Sequence, residues 1–287
     1  MPITRRISLL LLSPLGLALL AGLLIPMGIL LAYSFFTFEL LEAQPGFHLD
    51  SYKEVFTDPV YRKFAANTLW IALPTTALSV VGGYVAAYYL VLVARPRARM
   101  LGLALIVISM LASYLARIYA WRTLMGEQGV INSLLQDLGL TDEPAGLLLF
   151  SRTAAVIAQT NYLLPFSALL FASSMAGIDP ELRQSARDLG AGATQTFRRI
   201  TLPLTGKAVL AAVSVTFFLS AADYITPGLV GGANASTFGV AIAAQLTQST
   251  NYPLGAATSF AMVLGFVAFF LLVRFALRLT RLLPAEA

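Results

Sequence analysis

The sequence lacks cysteine altogether and has only one histidine, His48. The absence of cysteine excludes disulfides and thiolate metal sites, and a single histidine leaves little for a metal centre or a proton relay. Charged residues are also scarce: they make up 11% of the chain, against about a quarter of a soluble domain. With 58% hydrophobic residues and a mean hydropathy of +0.78, the chain is expected to lie in a lipid bilayer.

Sequence motifs for energy-converting chemistry are missing as well. The nearest approach to a phosphate-binding loop is Gly206-Lys207, but Ala208 follows where serine or threonine is required, and Thr201 replaces the first glycine. Neither His-Glu-x-x-His nor Gly-x-Ser-x-Gly occurs, which leaves a metalloprotease or a serine hydrolase without its reactive groups. We therefore predict no catalytic residue, no metal site and no cofactor in this chain.

What the sequence does contain is a series of apolar runs, each long enough to cross the bilayer core, which takes roughly 20 helical residues. Backbone amides in lipid must bond within their own segment, and the alternating pattern of a barrel is missing, so these runs are predicted to be helices. We expect an all-α polytopic membrane protein, a six-transmembrane-helix bundle that forms a single domain over residues 1–287. The predicted spans cover residues 9–36, 66–93, 100–121, 153–173, 207–229 and 255–280.

Basic residues indicate how these spans are oriented. The first run exceeds the apolar core of a signal peptide and is interpreted as an uncleaved helix. A cytoplasmic amino terminus puts both termini and a loop over residues 174–206 in the cytoplasm, and 13 of the 19 Lys and Arg residues then lie inside, as the positive-inside rule requires. The inner set is Arg5, Arg6, Arg95, Arg97, Arg99, Arg183, Arg187, Arg198, Arg199, Lys207, Arg274, Arg278 and Arg281. The net charge of +5 therefore reports topology, since nucleic-acid binding would need a basic face on a soluble module.

The cytoplasmic loop contains a predicted short helix. Asp179 is a favourable cap, Pro180 suits the first helical position, and Gly190 suits the left-handed residue that closes such a helix. The spacing of Leu182, Ala186 and Leu189 places them on one apolar face. A soluble partner can receive that face in a groove. The alternative is an ordinary amphipathic helix at the membrane interface.

The same loop resembles the cytoplasmic EAA loop of permease subunits in ATP-driven (ABC-type) importers, which docks onto the ATPase. The resemblance rests on Gly190, nine intervening residues, and then Ile200-x-Leu202-Pro203. The family's usual Glu-Ala-Ala is Gln184-Ser185-Ala186 here, so neutral hydrogen bonds replace stronger charge-assisted ones. Compensation by Arg183, Arg187 or Asp188 is our hypothesis. The resemblance implies that the ATPase-docking residues are Gln184, Ser185, Ala186, Arg187, Asp188, Gly190, Ile200, Leu202 and Pro203.

Short strings elsewhere resemble the permeases of spermidine and putrescine importers. These strings are Asn67-Thr68-Leu69-Trp70, Arg117-Ile118-Tyr119-Ala120-Trp121, Gly129-Val130-Ile131-Asn132, Asp223-Tyr224-Ile225-Thr226-Pro227, Gly231-Gly232 and Tyr252-Pro253-Leu254-Gly255. The resemblance implies a type I importer permease in the bacterial inner membrane, working by alternating access on a polyamine. It also implies two ATPase subunits that bind ATP and Mg, a second and different permease, and an extracytoplasmic solute-binding protein. The alternatives are another small solute, such as an opine or an amino-acid derivative, and an ATP-independent secondary carrier or intramembrane enzyme.

Polar residues inside the spans are the candidates for the translocation path, because a charge at the bilayer centre costs at least about 2.5 kcal/mol. Asp223 follows Lys207 by 16 residues, about 24 Å of helix, and is predicted in the outer half of the bilayer. An anion there suits a cationic solute, whereas pairing with Arg117 or Arg122 is the structural alternative. The other candidates are Tyr224 and three residues of the fourth span, Gln159, Asn161 and Tyr162. Hydrogen bonding between helices is the alternative role of those three.

Overall fold

The computed structural model describes residues 2–141, 143, 148, 150–280 and 282–283, with side chains from residue 16 onward. Arg281, counted above on the inner side, lies outside the described residues. The longer helices are α1 (Pro2–Tyr33), α2 (Asp50–Thr57), α3 (Pro59–Tyr88), α4 (Pro96–Leu111), α5 (Tyr114–Met125), α6 (Val130–Asp137), α7 (Arg152–Ala176), α8 (Pro180–Asp188), α11 (Gly206–Ala222), α12 (Phe238–Thr247) and α13 (Tyr252–Leu279). The two short helices between α8 and α11 are α9 (Ala193–Thr196) and α10 (Leu202–Leu204).

Four of these helical segments are long and apolar enough to cross a membrane: Gly16–Tyr33, Pro59–Val93, Arg152–Ala176 and Tyr252–Leu279. Two bent pairs bring the number to six within the described chain if each pair counts as one span. The pairs are Pro96–Leu111 with Tyr114–Asp137, bent by 92°, and Ala193–Leu204 with Gly206–Ala222, bent by 66°. Each of the six predicted apolar runs therefore overlaps one of these segments.

The third predicted run, residues 100–121, is not one continuous helix. It breaks between α4 and α5, where Ala112 and Ser113 adopt extended backbone. Arg117 donates to the carbonyl oxygen of Ser109 across the break, which supplies one of the partners that the interrupted helix loses. Serine competes with helical bonding through its own hydroxyl, so it is a favourable residue at such a break.

The fifth predicted run, residues 207–229, also ends earlier than expected. Helix α11 stops at Ala222, and Asp223 is extended with ψ 120°. The Asp223 carboxylate then accepts hydrogen bonds from the amides of Ile225 at 2.9 Å and Thr226 at 3.1 Å, which start the next turn. A π-helical turn over Pro227–Gly231 follows. The acidic side chain thus ends one helix and caps the next segment.

The chain forms two compact units, the first made of Met1–Arg62 and Ala241–Val263. In this unit the hydroxyl of Tyr52 on α2 donates to Ser34 Oγ at 2.8 Å, and the rings of Phe35 and Phe47 stack with centroids 4.7 Å apart. These contacts fix α2 against the segment that follows α1. Val55 is the buried residue of α2.

The first unit also holds a β-hairpin, which the all-α prediction does not include. Strand β1 (Thr37–Glu39) pairs antiparallel with β2 (Glu42–Gln44), and Glu39 lies opposite Glu42. Leu40 and Leu41 form its two-residue turn with φ values of 51° and 67°. Positive φ at both turn positions defines the type I′ geometry that suits the twist of a hairpin, and it usually selects Asn-Gly. Each leucine carries strain of about 1–2 kcal/mol in this conformation.

The second unit comprises Lys63–Val240 and Leu264–Ala287, and α7 lies at its centre. Twelve residues of α7 are buried, among them Gln159, Leu163 and Phe171. Two apolar clusters pack along this helix, one with Ile118 and Met125 of α5 and the other with Ala212 of α11. Helix α7 therefore joins both halves of the candidate site described next.

Candidate translocation path and docking segment

The helix predicted in the loop over residues 174–206 is confirmed as α8. The Asp179 carboxylate accepts from the amide of Glu181 at 2.9 Å, as an N-cap does. At the other end Gly190 has φ 83°, its amide donates to Arg187, and the amide of Ala191 donates to the carbonyl oxygen of Ala186 at 2.9 Å. These two bonds form a Schellman motif, which closes the helix with a left-handed glycine as its sequence predicts.

Helix α8 and the residues after it line an open groove of about 400 Å³. Leu189 at the end of the helix is 89% exposed and borders this groove. The other lining residues are Ala186, Gly190, Ala191, Gln195, Thr196, Arg199 and Ile200. Ala186 and Leu189 of the predicted apolar face border this groove, and Leu182 is exposed on the same helix. That a soluble partner receives this face stays a prediction.

The nine predicted docking residues separate into three groups. The polar residues Gln184, Ser185, Arg187 and Asp188 are exposed on α8, and Ala186, Gly190 and Ile200 line the groove. Leu202 and Pro203 are half-buried in α10. Arg183, a charge hypothesised to compensate for Gln184, is half-buried and donates to the carbonyl oxygen of Leu92 at 3.4 Å. It therefore holds α8 against the end of the α3 segment.

An aromatic cluster connects the docking segment, residues 184–203, to the spans, and the sequence did not predict it. The ring of Phe197 packs edge-on against Tyr84 and Tyr88 of α3, with centroids 6.0 and 5.6 Å away. The hydroxyl of Tyr84 also forms a 2.9 Å hydrogen bond with Thr205 Oγ1. Tyr84 and Tyr88 share one helix face because they are four residues apart, which is the signal that was available in the sequence.

Thr205 and Gly206 form the bend between α10 and α11. A Cβ atom placed on Gly206 would lie 1.8 Å from the carbonyl oxygen of Leu282, so only glycine permits this approach. The carboxyl-terminal end of the described chain is thus packed directly on the bend. The amide of Leu282 in turn donates to the carbonyl oxygen of Leu277 at the end of α13.

On the other side of the same unit, Asp223 lies at the centre of a polar cluster. Its Oδ2 accepts from Gln159 Nε2 at 3.0 Å and from the Tyr162 hydroxyl at 3.4 Å, while Oδ1 accepts the two amides that follow it. Among the described residues Asp223 forms no ion pair, and Arg117, one of its two predicted partners, instead contacts Ser109. The carboxylate is satisfied by neutral donors alone.

Gln159 extends this cluster to two further helices. Its Oε1 accepts from Ser220 Oγ of α11 and from Thr75 Oγ1 of α3, the latter at 3.4 Å. Its Nε2 also lies 3.3 Å from the carbonyl oxygen of Ser220. The fully buried Gln159 amide therefore links its own helix α7 to α3 and α11. These bonds fix the relative rotation of the three helices, because a polar group left unpaired in a low-dielectric interior is costly.

Tyr162 borders a cavity of about 180 Å³. Its ring packs edge-on against Tyr114, with centroids 5.1 Å apart, and the Tyr114 hydroxyl forms a 2.9 Å hydrogen bond with Thr226 Oγ1. The cavity is lined by Met110, Ala112, Tyr114, Arg117, Tyr162, Leu163, Phe166 and Leu219. It therefore opens beside the break between α4 and α5, which removes helix backbone from that position.

The structure brings together three of the five predicted path residues: Asp223, Gln159 and Tyr162. Asn161 and Tyr224 are exposed, and neither joins the cluster. Sequence reasoning missed Tyr114, Thr75 and Thr226, which lie in other segments and carry no local signal of the contact. In the described part of the chain no group of three or more His, Asp or Glu side chains is placed to hold a metal ion.

Comparison with known protein families identifies one family that matches this chain. The profile of the family described as "Binding-protein-dependent transport system inner membrane component" matches residues 79–281, more than half of the chain. The chain belongs to this family. It is an inner membrane permease component, and its recognition as an importer permease from the loop sequence is confirmed.

Two curated relatives of this permease are both described as the spermidine/putrescine transport system permease protein PotB. The spermidine/putrescine transport system permease protein PotB of Escherichia coli (strain K12) is 32% identical over 218 residues, which cover 76% of this chain and 78% of the relative. PotB of Haemophilus influenzae is 30% identical over 211 residues, covering 74% of this chain and 73% of the relative. Both relatives are transport components, so the permease is a transport subunit.

A solved structure supports the fold. The bacterial alginate ABC transporter, solved in complex with an alginate pentasaccharide-bound periplasmic protein, contains a chain that matches with a TM-score of 0.79 at 17% identity. The match covers 98% of this permease and 97% of that chain. The predicted fold class, a helical bundle of the type I importer permease kind, is therefore confirmed.

Proposed function

We propose that this permease is one membrane subunit of an ATP-driven polyamine importer. The observation that carries the cargo class is the Asp223 carboxylate, which lies at the end of α11 with hydrogen-bond donors but no basic partner among the described residues. The similarity to permeases of spermidine/putrescine transport systems points the same way. Alginate, named for the structural relative, is acidic, so the shared fold does not determine the cargo.

The cluster around Asp223 has the chemistry to receive an ammonium group. A carboxylate attracts the charge, and the faces of Tyr114 and Tyr162 bind cations through their ring quadrupoles. An incoming ammonium group replaces the weak contact from the Tyr162 hydroxyl with a charge-assisted hydrogen bond. Gln159 keeps the carboxylate in position from the opposite side because it is anchored on α3 and α11.

The conformational change driven by ATP reaches the permease through the docking segment. Two ATPase subunits bind ATP and Mg and receive α8 in a groove, in the helix-in-groove mode. Their closure moves the docking segment, and the Phe197, Tyr84 and Thr205 contacts pass this movement to α3 and α11. Cargo and nucleotide act at separate sites, so their coupling consists of different affinities for inward-open and outward-open states.

The rest of the assembly follows from this role. The whole chain acts as one transmembrane domain of six spans, with both termini and the docking segment in the cytoplasm. A second, different permease completes the translocation path, and an extracytoplasmic solute-binding protein delivers the cargo. The family description, which specifies binding-protein-dependent transport, supports the last partner.

The test compares Asp223→Asn with Asp137→Asn in the assembled importer reconstituted in liposomes. Asp137 is an exposed carboxylate at the end of α6 and serves as the matched control. We expect ATP-dependent uptake of labelled spermidine to fall at least about tenfold in Asp223→Asn alone, since losing one charge-assisted contact costs more than about 1.4 kcal/mol. Normal spermidine uptake in Asp223→Asn would reject Asp223 as the cargo contact.

A further inference from the structure

The tip of the β-hairpin exposes two leucines. Leu40 is 97% exposed and Leu41 is 80% exposed, and both hold left-handed backbone with φ values of 51° and 67°. The turn conformation is one that Asn-Gly adopts without strain, so leucine is the less favourable choice for forming this hairpin. Neither burial nor turn geometry accounts for the two side chains.

The hairpin and the helix that follows it carry mainly acidic side chains, although the chain as a whole has a net charge of +5. Glu39 and Glu42 lie directly opposite each other on either side of the two leucines. Residues 37–58 include three more acidic residues, Asp50, Glu54 and Asp58, and only one basic residue, Lys53. Like charges placed directly opposite each other destabilise a strand pair, so these glutamates do not serve the hairpin either.

Two acidic side chains of the α2 region also affect each other. Partial burial raises the pKa of the Glu54 carboxyl, and the neighbouring Asp58 raises it further. Glu54 and Asp58 are therefore close enough to interact.

We propose that the hairpin tip, Leu40-Leu41 with its flanking glutamates Glu39 and Glu42, is a docking surface for the extracytoplasmic solute-binding protein. The matching site on that protein is a small apolar pocket with a basic rim. This inference rests on the proposed function, because it requires a binding-protein partner and places the hairpin outside the cytoplasm. Two leucines give a small contact, which suits a partner that must leave after each transport cycle.

Insertion into lipid is the competing occupant, and the charges disfavour it. Anionic membrane surfaces attract basic segments and repel acidic ones. Two glutamates flank Leu40 and Leu41 at the same end of the hairpin, so burying the leucines in the interface also brings the carboxylates toward the headgroups. A basic-rimmed protein pocket accepts both parts of the surface.

The natural absence of cysteine allows a direct test with a single label. The Leu41→Cys variant carries an environment-sensitive fluorophore, and the assembled importer is placed in nanodiscs containing anionic lipid. We expect water-exposed emission at first and a blue shift after addition of the solute-binding protein that supports uptake by this importer. A blue shift before that addition, quenched by brominated lipid, would assign the tip to the membrane and overturn the proposal.

A second experiment separates the side chains from the hairpin itself. The double variant Leu40→Asn/Leu41→Gly keeps the turn but removes the apolar tip, and we expect the Kd for the binding protein to rise at least about tenfold. Glu39→Gln/Glu42→Gln is expected to reduce the salt dependence of the Kd, because exposed charges act through a screened field. An unchanged Kd in the Asn-Gly variant, with uptake still working, would overturn this docking surface alone. Uptake that needs no binding protein would overturn the proposed function with it.

Discussion

A substitution in the bend between α10 and α11 is predicted to lower the stability of the permease, by an amount that follows from one interatomic distance. A Cβ atom on Gly206 would lie 1.8 Å from the carbonyl oxygen of Leu282, whereas real Cβ atoms essentially never approach within 3.0 Å. Gly206→Ala therefore forces two backbone segments apart by more than about 1 Å. Overpacking of this kind costs about 1–3 kcal/mol, which corresponds to a loss of roughly 2–10 °C in Tm for a chain of this size.

The measurement is thermal unfolding of purified permease in detergent. Gly192→Ala is the matched control, because it lies in the same loop with φ −68° and a Cβ atom there meets no neighbour within 4 Å. We expect Gly206→Ala to lower the Tm and Gly192→Ala to leave it within about 1 °C, since surface changes usually stay within about 0.5 kcal/mol.

A truncation identifies the cause of the loss. Removing residues 280–287 deletes the Leu282 carbonyl oxygen, so Gly206→Ala should cost almost nothing in the shortened chain, as expected when two changes share one contact. The same Tm loss in the full-length and truncated chains would refute the reasoning, because it would trace the effect to α11 itself.

Three further changes test other parts of the account. Tyr84→Phe removes the hydroxyl that bonds Thr205 but keeps the ring on the aromatic cluster; we expect a loss of about 1 kcal/mol in the free energy of unfolding and less uptake per ATP hydrolysed, and an unchanged ratio would refute the coupling role. Gln184→Glu restores a charge to the docking segment, so we expect more ATPase to co-purify; equal recovery would show that this position makes no charged contact. Leu40→Asn/Leu41→Gly relieves two strained turn residues and should raise the unfolding temperature of the permease, so a lower temperature would show that the leucines support the fold.

Short sequence patterns predicted the structure well wherever the structure depends on residues that are close together in the sequence. Asp179 and Gly190 bracket α8 because a cap and a left-handed glycine are determined by a few neighbouring residues. The apolar runs likewise locate the helical segments, since crossing a bilayer requires length and hydropathy alone.

The breaks and the candidate site depend on contacts that a hydropathy pattern does not contain. Arg117 is the single charged residue in the apolar run over residues 100–121, yet the helix breaks at Ser113. Asp223 was singled out as an intramembrane acid, but its partner Gln159 is 64 residues away and was only one of several polar candidates. The Leu40-Leu41 turn contradicts turn propensity outright, so sequence reasoning alone gives no hairpin there.

The most direct test of the central claim is the cargo of the complete wild-type importer. The importer is reconstituted in liposomes with its ATPase subunits, second permease and solute-binding protein. Uptake of labelled spermidine and putrescine is then measured with ATP and, in a parallel sample, with ADP. The account predicts saturable uptake with ATP, none with ADP, and no competition from an anionic solute of similar size. A complex that hydrolyses ATP and takes up an opine or another amino-acid derivative, but neither polyamine, would contradict it.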